Sequence, residues 1–311
     1  MTIAAAPGYP VGGSAGTSKY VQQLYAKQLL IALYLQAVYP DICQRDYEGQ
    51  ISKMGDKVII RTRPTVVVSD YSKGMDLNTI RQYLEPPNIE LNIDKAKVYS
   101  VGLDDIDEKQ FDIDALAEWA SDAAASMAIE LDADVLNNIY ADVHAKNTGA
   151  TAGAKSSGYN IGTSGAPVTL TKANILDYIV YCASVLNEQN VPKDGSRWMV
   201  LPEIFLSRIN TSDLRSALFT GDSGNPNLRN GRVGQIAGFT IYGSNNIDAV
   251  TGSVYPIMFG HKMAVTFASQ LVKNRTIELQ NTFGKAMEGL HVYGYEVVKP
   301  EAVGCMYAQA G

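Results

Sequence analysis

The chain has 311 residues, 46% of them apolar and 19% charged, which suits a globular protein with a real core and is too apolar for intrinsic disorder. A net charge of −6 without any basic block argues against a reader of nucleic-acid sequence, which needs a clustered cationic footprint. Cys43, Cys182 and Cys305 lie far apart with no CxxC pair and no neighbouring histidine, so they read as buried free thiols of a reducing compartment and not as a disulfide framework or zinc site.

In chain order, residues 1–18 are rich in Gly, Ala, Ser and Pro and carry no charged side chain, which predicts a flexible arm lacking the basic start of a signal peptide. Ser18 caps a predicted helix that runs to about Tyr39 and stops at Pro40. Its apolar run, 29–35, is far shorter than the ~20 residues of a membrane crossing. Residues 57–68 then turn β-branched, with Lys57, Ile59, Arg61 and Arg63 on one face. A polar stretch with Asp70, Lys73, Gly74, Asp76 and Arg81 ends at Pro86-Pro87, and 89–101 alternates again. The two runs are expected to form the legs of a long hairpin reaching ~40 Å. Such a ribbon is marginal alone and exposes its edges, so a neighbouring subunit is its natural cover.

Residues 112–143 give the strongest periodic signal, with Ile113, Leu116, Ala120, Ala123, Met127, Leu131, Val135, Ile139 and Val143 at helical spacing. The predicted helix, about 45 Å long, would cross a compact globule whose radius of gyration is only ~20 Å. It carries eight carboxylates (Asp112, Asp114, Glu118, Asp122, Glu130, Asp132, Asp134 and Asp142) and no Lys or Arg. This stripe admits two readings: a solvated face, or the counterpart of the basic hairpin.

Residues 147–168 read as a polar, flexible loop. An α/β unit follows: a helix capped by Thr171 that carries Ile175, Ile179, Cys182 and Leu186 and ends near Pro192, a buried strand at 198–201, and a helix at 204–209 opened by Pro202. Residues 211–232 are irregular; 239–242 and 257–259 read as strands, 264–271 closes this unit, and 289–307 reads as closing strands.

Catalytic motifs do not survive inspection. Gly221-Asp222-Ser223-Gly224 copies a serine-protease nucleophile peptide, but none of His144, His261 and His291 has the flanking pattern of a triad partner. Asp104-Asp105-Ile106-Asp107-Glu108 lacks the glycine and spacing of a calcium loop and reads as helix-start carboxylates. The glycines of 231–238 lack both a strand–GxGxxG–helix context and a P-loop lysine. No catalytic, cofactor or metal site is therefore assigned.

The order of parts resembles the Hong Kong 97-type capsid fold of tailed-phage coat proteins. The matching stretches are NVPKDGSRWMVLPEIFLSRI (190–209), GRVGQIAGFTIYGSNNI (231–247), GHKMAVTFASQL (260–271) and YGYEVVKPEAVGCMY (293–307), and the likeness covers nearly the whole chain beyond the arm. The resemblance implies an α+β fold divided into an N-terminal arm and first helix (1–50), an E-loop hairpin (51–103), a P-domain with its long spine helix and flexible loop (104–168), an α/β A-domain (169–288) and closing P-domain strands (289–311). It implies a non-enzymatic structural protein without cofactors, self-assembling as hexamers and pentamers into the icosahedral capsid of a double-stranded DNA phage. The shell would be built in the bacterial cytoplasm with a portal protein, with or without a decoration protein, and would touch its DNA non-specifically at most and no membrane. Some relatives carry a long N-terminal scaffolding extension; its absence here implies a separate scaffolding protein or a processed chain. Between subunits, Lys57, Arg61, Arg63, Lys73 and Arg81 of the E-loop are expected to meet Asp114, Glu118, Asp122, Glu130 and Asp134 of the spine helix. A Lys–Asn cross-link occurs in some relatives, but a lysine at a loop tip, here Lys73, does not establish one. Two other readings stay open: an encapsulin-like nanocompartment shell, which shares the fold, and another virion part such as a tail-tube subunit.

Overall fold

The computed structural model of the protein describes residues 37–46, 57–61, 64, 66–85, 88–105, 115–212, 235–280 and 282–311. The predicted arm and most of the first helix, Arg63, Asp112, Asp114, most of the 104–108 carboxylate run and the Gly221–Gly224 peptide lie outside these residues. The description begins next to a short helix α1 (Tyr39–Ile42), in whose first turn Pro40 sits. Pro40 therefore opens a helical turn, where its missing N–H costs nothing, instead of ending one.

Strands β1 (Lys57–Arg61) and β2 (Asn88–Asn92) pair antiparallel, from Lys57 opposite Asn92 to Arg61 opposite Asn88. The expected alternation is present: Lys57, Ile59 and Arg61 face outward while Ile60 is buried with Leu91. The legs are shorter than predicted. The first stops before Pro64, which removes a donor and restricts its predecessor. The second breaks at Ile93-Asp94, and the chain continues as β3 (Lys95–Asp104) in a different sheet. Gly294 permits this break: a Cβ there would lie 1.9 Å from the Asn92 carbonyl oxygen, so only glycine lets the two backbones cross.

The long ribbon lies elsewhere. Strands β9 (Val265–Glu278) and β10 (Gly284–Val297) are 14 residues each, about 45 Å if fully extended, and β3 pairs along the other edge of β10. Against the Lys95-Lys97 face of this three-stranded sheet packs helix α2 (Ala115–Leu136), the predicted spine. Its described part is about 33 Å long; the predicted start at Asp112 lies outside the described residues, and the helix ends at Leu136 instead of near Val143. Past Leu136 come two asparagines whose side chains take other partners: Asn138 Nδ2 donates to the Asp134 carbonyl and Asn137 bonds Asp248. The local bond of Asn138 competes with the helical pattern, and the chain continues as a 3-10 turn, Ile139–Asp142.

The main core surrounds a six-stranded sheet of order β4-β11-β8-β5-β7-β6, made of β4 (Val168–Leu170), β5 (Arg197–Leu201), β6 (Gln235–Ile236), β7 (Phe239–Gly243), β8 (Val254–His261) and β11 (Val303–Ala310). Helix α3 (Ile175–Glu188) buries Ile175, Ile179, Cys182 and Leu186, the stripe read from the sequence. It starts four residues after Thr171, behind a turn in which the Thr171 carbonyl accepts the Ile175 N–H and the Asn174 side chain accepts the Thr171 N–H. Its last residue, Glu188, likewise falls short of Pro192. Helix α4 (Glu203–Thr211) follows Pro202 as predicted. The 289–311 tail divides, β10 serving the three-stranded sheet and β11 the six-stranded one, between β4 and β8. Residues 147–168 are irregular but tied down. Ala152 bridges Tyr159, Thr163 bridges Ala166, Ile161 is fully buried, and Glu188 accepts the Lys155 and Ser156 N–H groups.

Candidate functional site

The described residues hold no group of His, Cys, Asp and Glu able to ligate a metal, and no described helix is long and apolar enough to cross a membrane. All three cysteines are free and buried. Burial pushes the Cys43 thiol up to about 12, with nearby Asp132 adding to the effect, and pushes Cys305 up to about 12 as well, so neither supplies a thiolate.

The conspicuous surface is the loop between β1 and β2. Val66, Val67, Val68, Tyr71, Leu77, Tyr83 and Leu84 are all exposed, Val68 at 92% and Tyr83 at 87%. The loop is nevertheless shaped: Gln82 donates from Nε2 to the Val67 carbonyl and accepts the Val67 N–H on Oε1, standing in for a strand partner. Lys73 and Arg81 lie exposed on it, beside these apolar side chains. So many large apolar side chains exposed on one loop are the mark of a surface that another protein covers.

The acidic helix splits into distinct environments. Asp134 receives Lys95 Nζ at 3.1 Å and the Tyr293 hydroxyl at 2.9 Å, while Tyr295 donates to its carbonyl at 3.0 Å. Glu130 meets Lys97 at 3.5 Å. The stripe thus has basic partners within its own chain, and they are the lysines of β3; Lys57 of the hairpin pairs with Glu90 across the ribbon. Asp122 is half-buried, Glu118 lies on α2 with its side chain outside the described set, and Arg61 is exposed. Burial raises the Tyr293 hydroxyl, and Asp134 raises it further. Burial lowers the Lys95 ammonium, but its bonds to Tyr295 and Asp134 outweigh that and leave it raised.

Sequence reading missed three buried polar groups. Asp132, fully buried, accepts the N–H groups of Val38 and Tyr39 and the amide of Asn246. Asn147 donates to the carbonyls of Glu301 and Val303, and Arg197 is spent on the carbonyls of Pro192 and Val191 and on Asn187. Only Asp132 had a visible signal, since it adjoins the buried Leu131 and lies one turn before the buried Val135 on the helix.

A shaped apolar loop, a long three-stranded ribbon backed by a spine helix and a separate mixed sheet together define a shell-building structural protein. The chain belongs to the phage capsid protein family, whose sequence profile matches residues 90–305. Among solved structures it is similar to one from Mycobacterium phage Che8, at 25% identity and a TM-score of 0.68, over 92% of this chain and 96% of that one. The capsid of cyanophage P-SCSP1u matches at 17% identity and TM-score 0.70, over 96% and 98% of the two chains. That of cyanophage Pam1 matches at 13% and 0.66, over 94% and 96%. No curated protein matches by sequence. The fold is the Hong Kong 97-type capsid fold of tailed phages, and the role is structural, in a phage shell.

Proposed function

We propose that copies of this chain assemble as hexamers and pentamers into a closed icosahedral shell around a double-stranded DNA genome, without catalytic activity of their own. The exposed apolar loop carries this reading: a lone subunit leaves Val66, Val67, Val68, Tyr71 and Tyr83 in water, whereas a neighbour in a shell covers them. The basic residues Lys57, Arg61, Arg63, Lys73 and Arg81 then approach the spine helix of that neighbour, on the side of Asp114, Glu118 and Asp122, with Glu130 and Asp134 shared with Lys97 and Lys95. Exposed ion pairs contribute only ~0–1 kcal/mol each, so they set register while apolar burial supplies the stability. Assembly takes place in the bacterial cytoplasm with a separate scaffolding protein and a portal protein, and a decoration protein, where present, binds the finished shell. DNA contact is non-specific, as the net charge of −6 suggests.

The test is sedimentation and negative-stain microscopy of the purified protein, expressed with and without a scaffolding protein from the same genome. Closed particles of uniform diameter are expected. A protein that stays monomeric under both conditions contradicts the proposal, as does one that forms open tubes.

A further inference from the structure

We infer that Asp132 is a positioning residue for assembly: it ties the end of the spine helix to the six-stranded sheet and so fixes the angle between the two sheets, and with it the curvature of the shell. The inference rests on the shell reading above. Asp132 and Asp134 are two positions apart on α2, about 200° around the helix, so their side chains leave it in opposite directions. Asp134 bonds to the three-stranded sheet through Lys95 of β3 and Tyr293 of β10. Asp132 turns the other way. Its Oδ1 accepts Val38 N–H at 2.8 Å and Tyr39 N–H at 2.7 Å, and its Oδ2 accepts Asn246 Nδ2 at 2.8 Å and Ser244 Oγ at 3.5 Å. Ser244 directly follows β7 and donates its N–H to the carbonyl of Leu201 at the end of β5, so this seam runs straight into the six-stranded sheet. One turn further along, Asn137 exchanges hydrogen bonds with Asp248 of the same loop, at 2.8 and 2.9 Å.

The last two turns of α2 are therefore bonded on one side to the three-stranded sheet and on the other to α1 and to the loop that leaves β7 of the six-stranded sheet. A buried carboxylate is costly to desolvate, and well-packed apolar side chains often stabilise such a place as well or better. What the carboxylate adds is direction. Apolar packing lets two bodies slide and tilt, whereas four donors on two oxygens fix one orientation. In a closed shell a small change of that angle is repeated in every subunit, so it alters how many copies close the surface.

The experiment compares Asn246→Ala, Asp132→Ala and Cys182→Ala subunits with the wild type, each co-expressed with the scaffolding protein. Asn246→Ala breaks the seam to the six-stranded sheet and leaves the bonds to Val38 and Tyr39. Cys182, buried in the same core but outside the seam, controls for lost stability. Readouts are the melting midpoint, hydrogen exchange at 244–248 and particle diameter by electron microscopy. The expected result is at least tenfold faster exchange at 244–248 in Asn246→Ala and two or more diameter classes where the wild type gives one. Cys182→Ala should keep a single class even when it melts as early. Wild-type diameters from both seam variants overturn the inference, as does an equal spread of diameters from Cys182→Ala. Should Asn246→Ala fail to fold, Asn246→Ser takes its place under the same criteria. A wild type that forms no shells overturns the shell reading itself and is told apart by that outcome.

Discussion

Lys95 on β3 places its ammonium 3.1 Å from the Asp134 carboxylate on the spine helix, within one subunit. The same carboxylate takes the hydroxyl of Tyr293, and Lys95 lies 4.1 Å from the centre of the Tyr295 ring. Four polar side chains from three elements thus hold the helix on the long ribbon. A helix with carboxylates and no bases is stable here because the sheet supplies the opposite charge.

Asp134→Ala should lower subunit stability by about 2 kcal/mol, since it strands an ammonium and a phenol together. Urea unfolding of the unassembled subunit measures this. A loss below about 0.5 kcal/mol would show that the network adds nothing to apolar packing.

Acid should act through a different pair. His261 accepts the Met263 N–H on Nδ1, so its Nε2 is the donor to Asp194 at 2.9 Å. The Ser196 N–H first, and His261 second, hold the Asp194 carboxyl down at about 2. A carboxyl depressed in the folded state stabilises above its unfolded value, about 4, and that contribution is lost as pH falls through about 2. Wild type and Asp194→Ala should therefore differ in melting temperature at pH 6 and converge as pH approaches 2. A difference that persists unchanged at pH 2 would assign it to something other than the charge.

Gly294→Ala should destabilise the subunit by about 1–3 kcal/mol or abolish folding, because the new methyl meets the fixed Asn92 carbonyl and not a movable side chain. Thermal melts decide it. Wild-type stability would mean that the β2–β3 crossing yields easily.

This crossing also shows where the sequence was readable. Periodicity located the α3 stripe, the buried strand β5, the Pro202 helix start and the outward face of Lys57, Ile59 and Arg61, because each is a local pattern set by one buried face. It misplaced the longest ribbon. The run 89–101 alternates without interruption, so nothing local reveals that Asn92 must pass over Gly294, some 200 residues away. In β10, Gly284, Gly289 and Gly294 weaken the strand pattern, although each admits a neighbour. The acidic stripe was legible as chemistry but not as geometry. Lys95 and Lys97 share a strand face, yet which sheet would face the helix depends on long-range pairing. Asp132 was counted in the acidic stripe, with no sign that it is buried, because its four donors come from segments about 90 to 115 residues distant.

Arg61→Glu combined with Arg63→Glu should reduce shell yield at least tenfold and leave the melting temperature of the isolated subunit within about 2 °C, since Arg61 is exposed and a surface substitution of this kind shifts stability little. Normal particles from the double variant would show that the hairpin does not contact the spine helix of a neighbour.

The apolar loop should be exposed only in the lone subunit and covered in a shell. Cryo-electron microscopy of the assembled particle tests it most directly. The expected result is a closed shell in which Val66, Val67, Val68, Tyr71 and Tyr83 are buried against a neighbouring copy. A closed shell that leaves these side chains in solvent would contradict it.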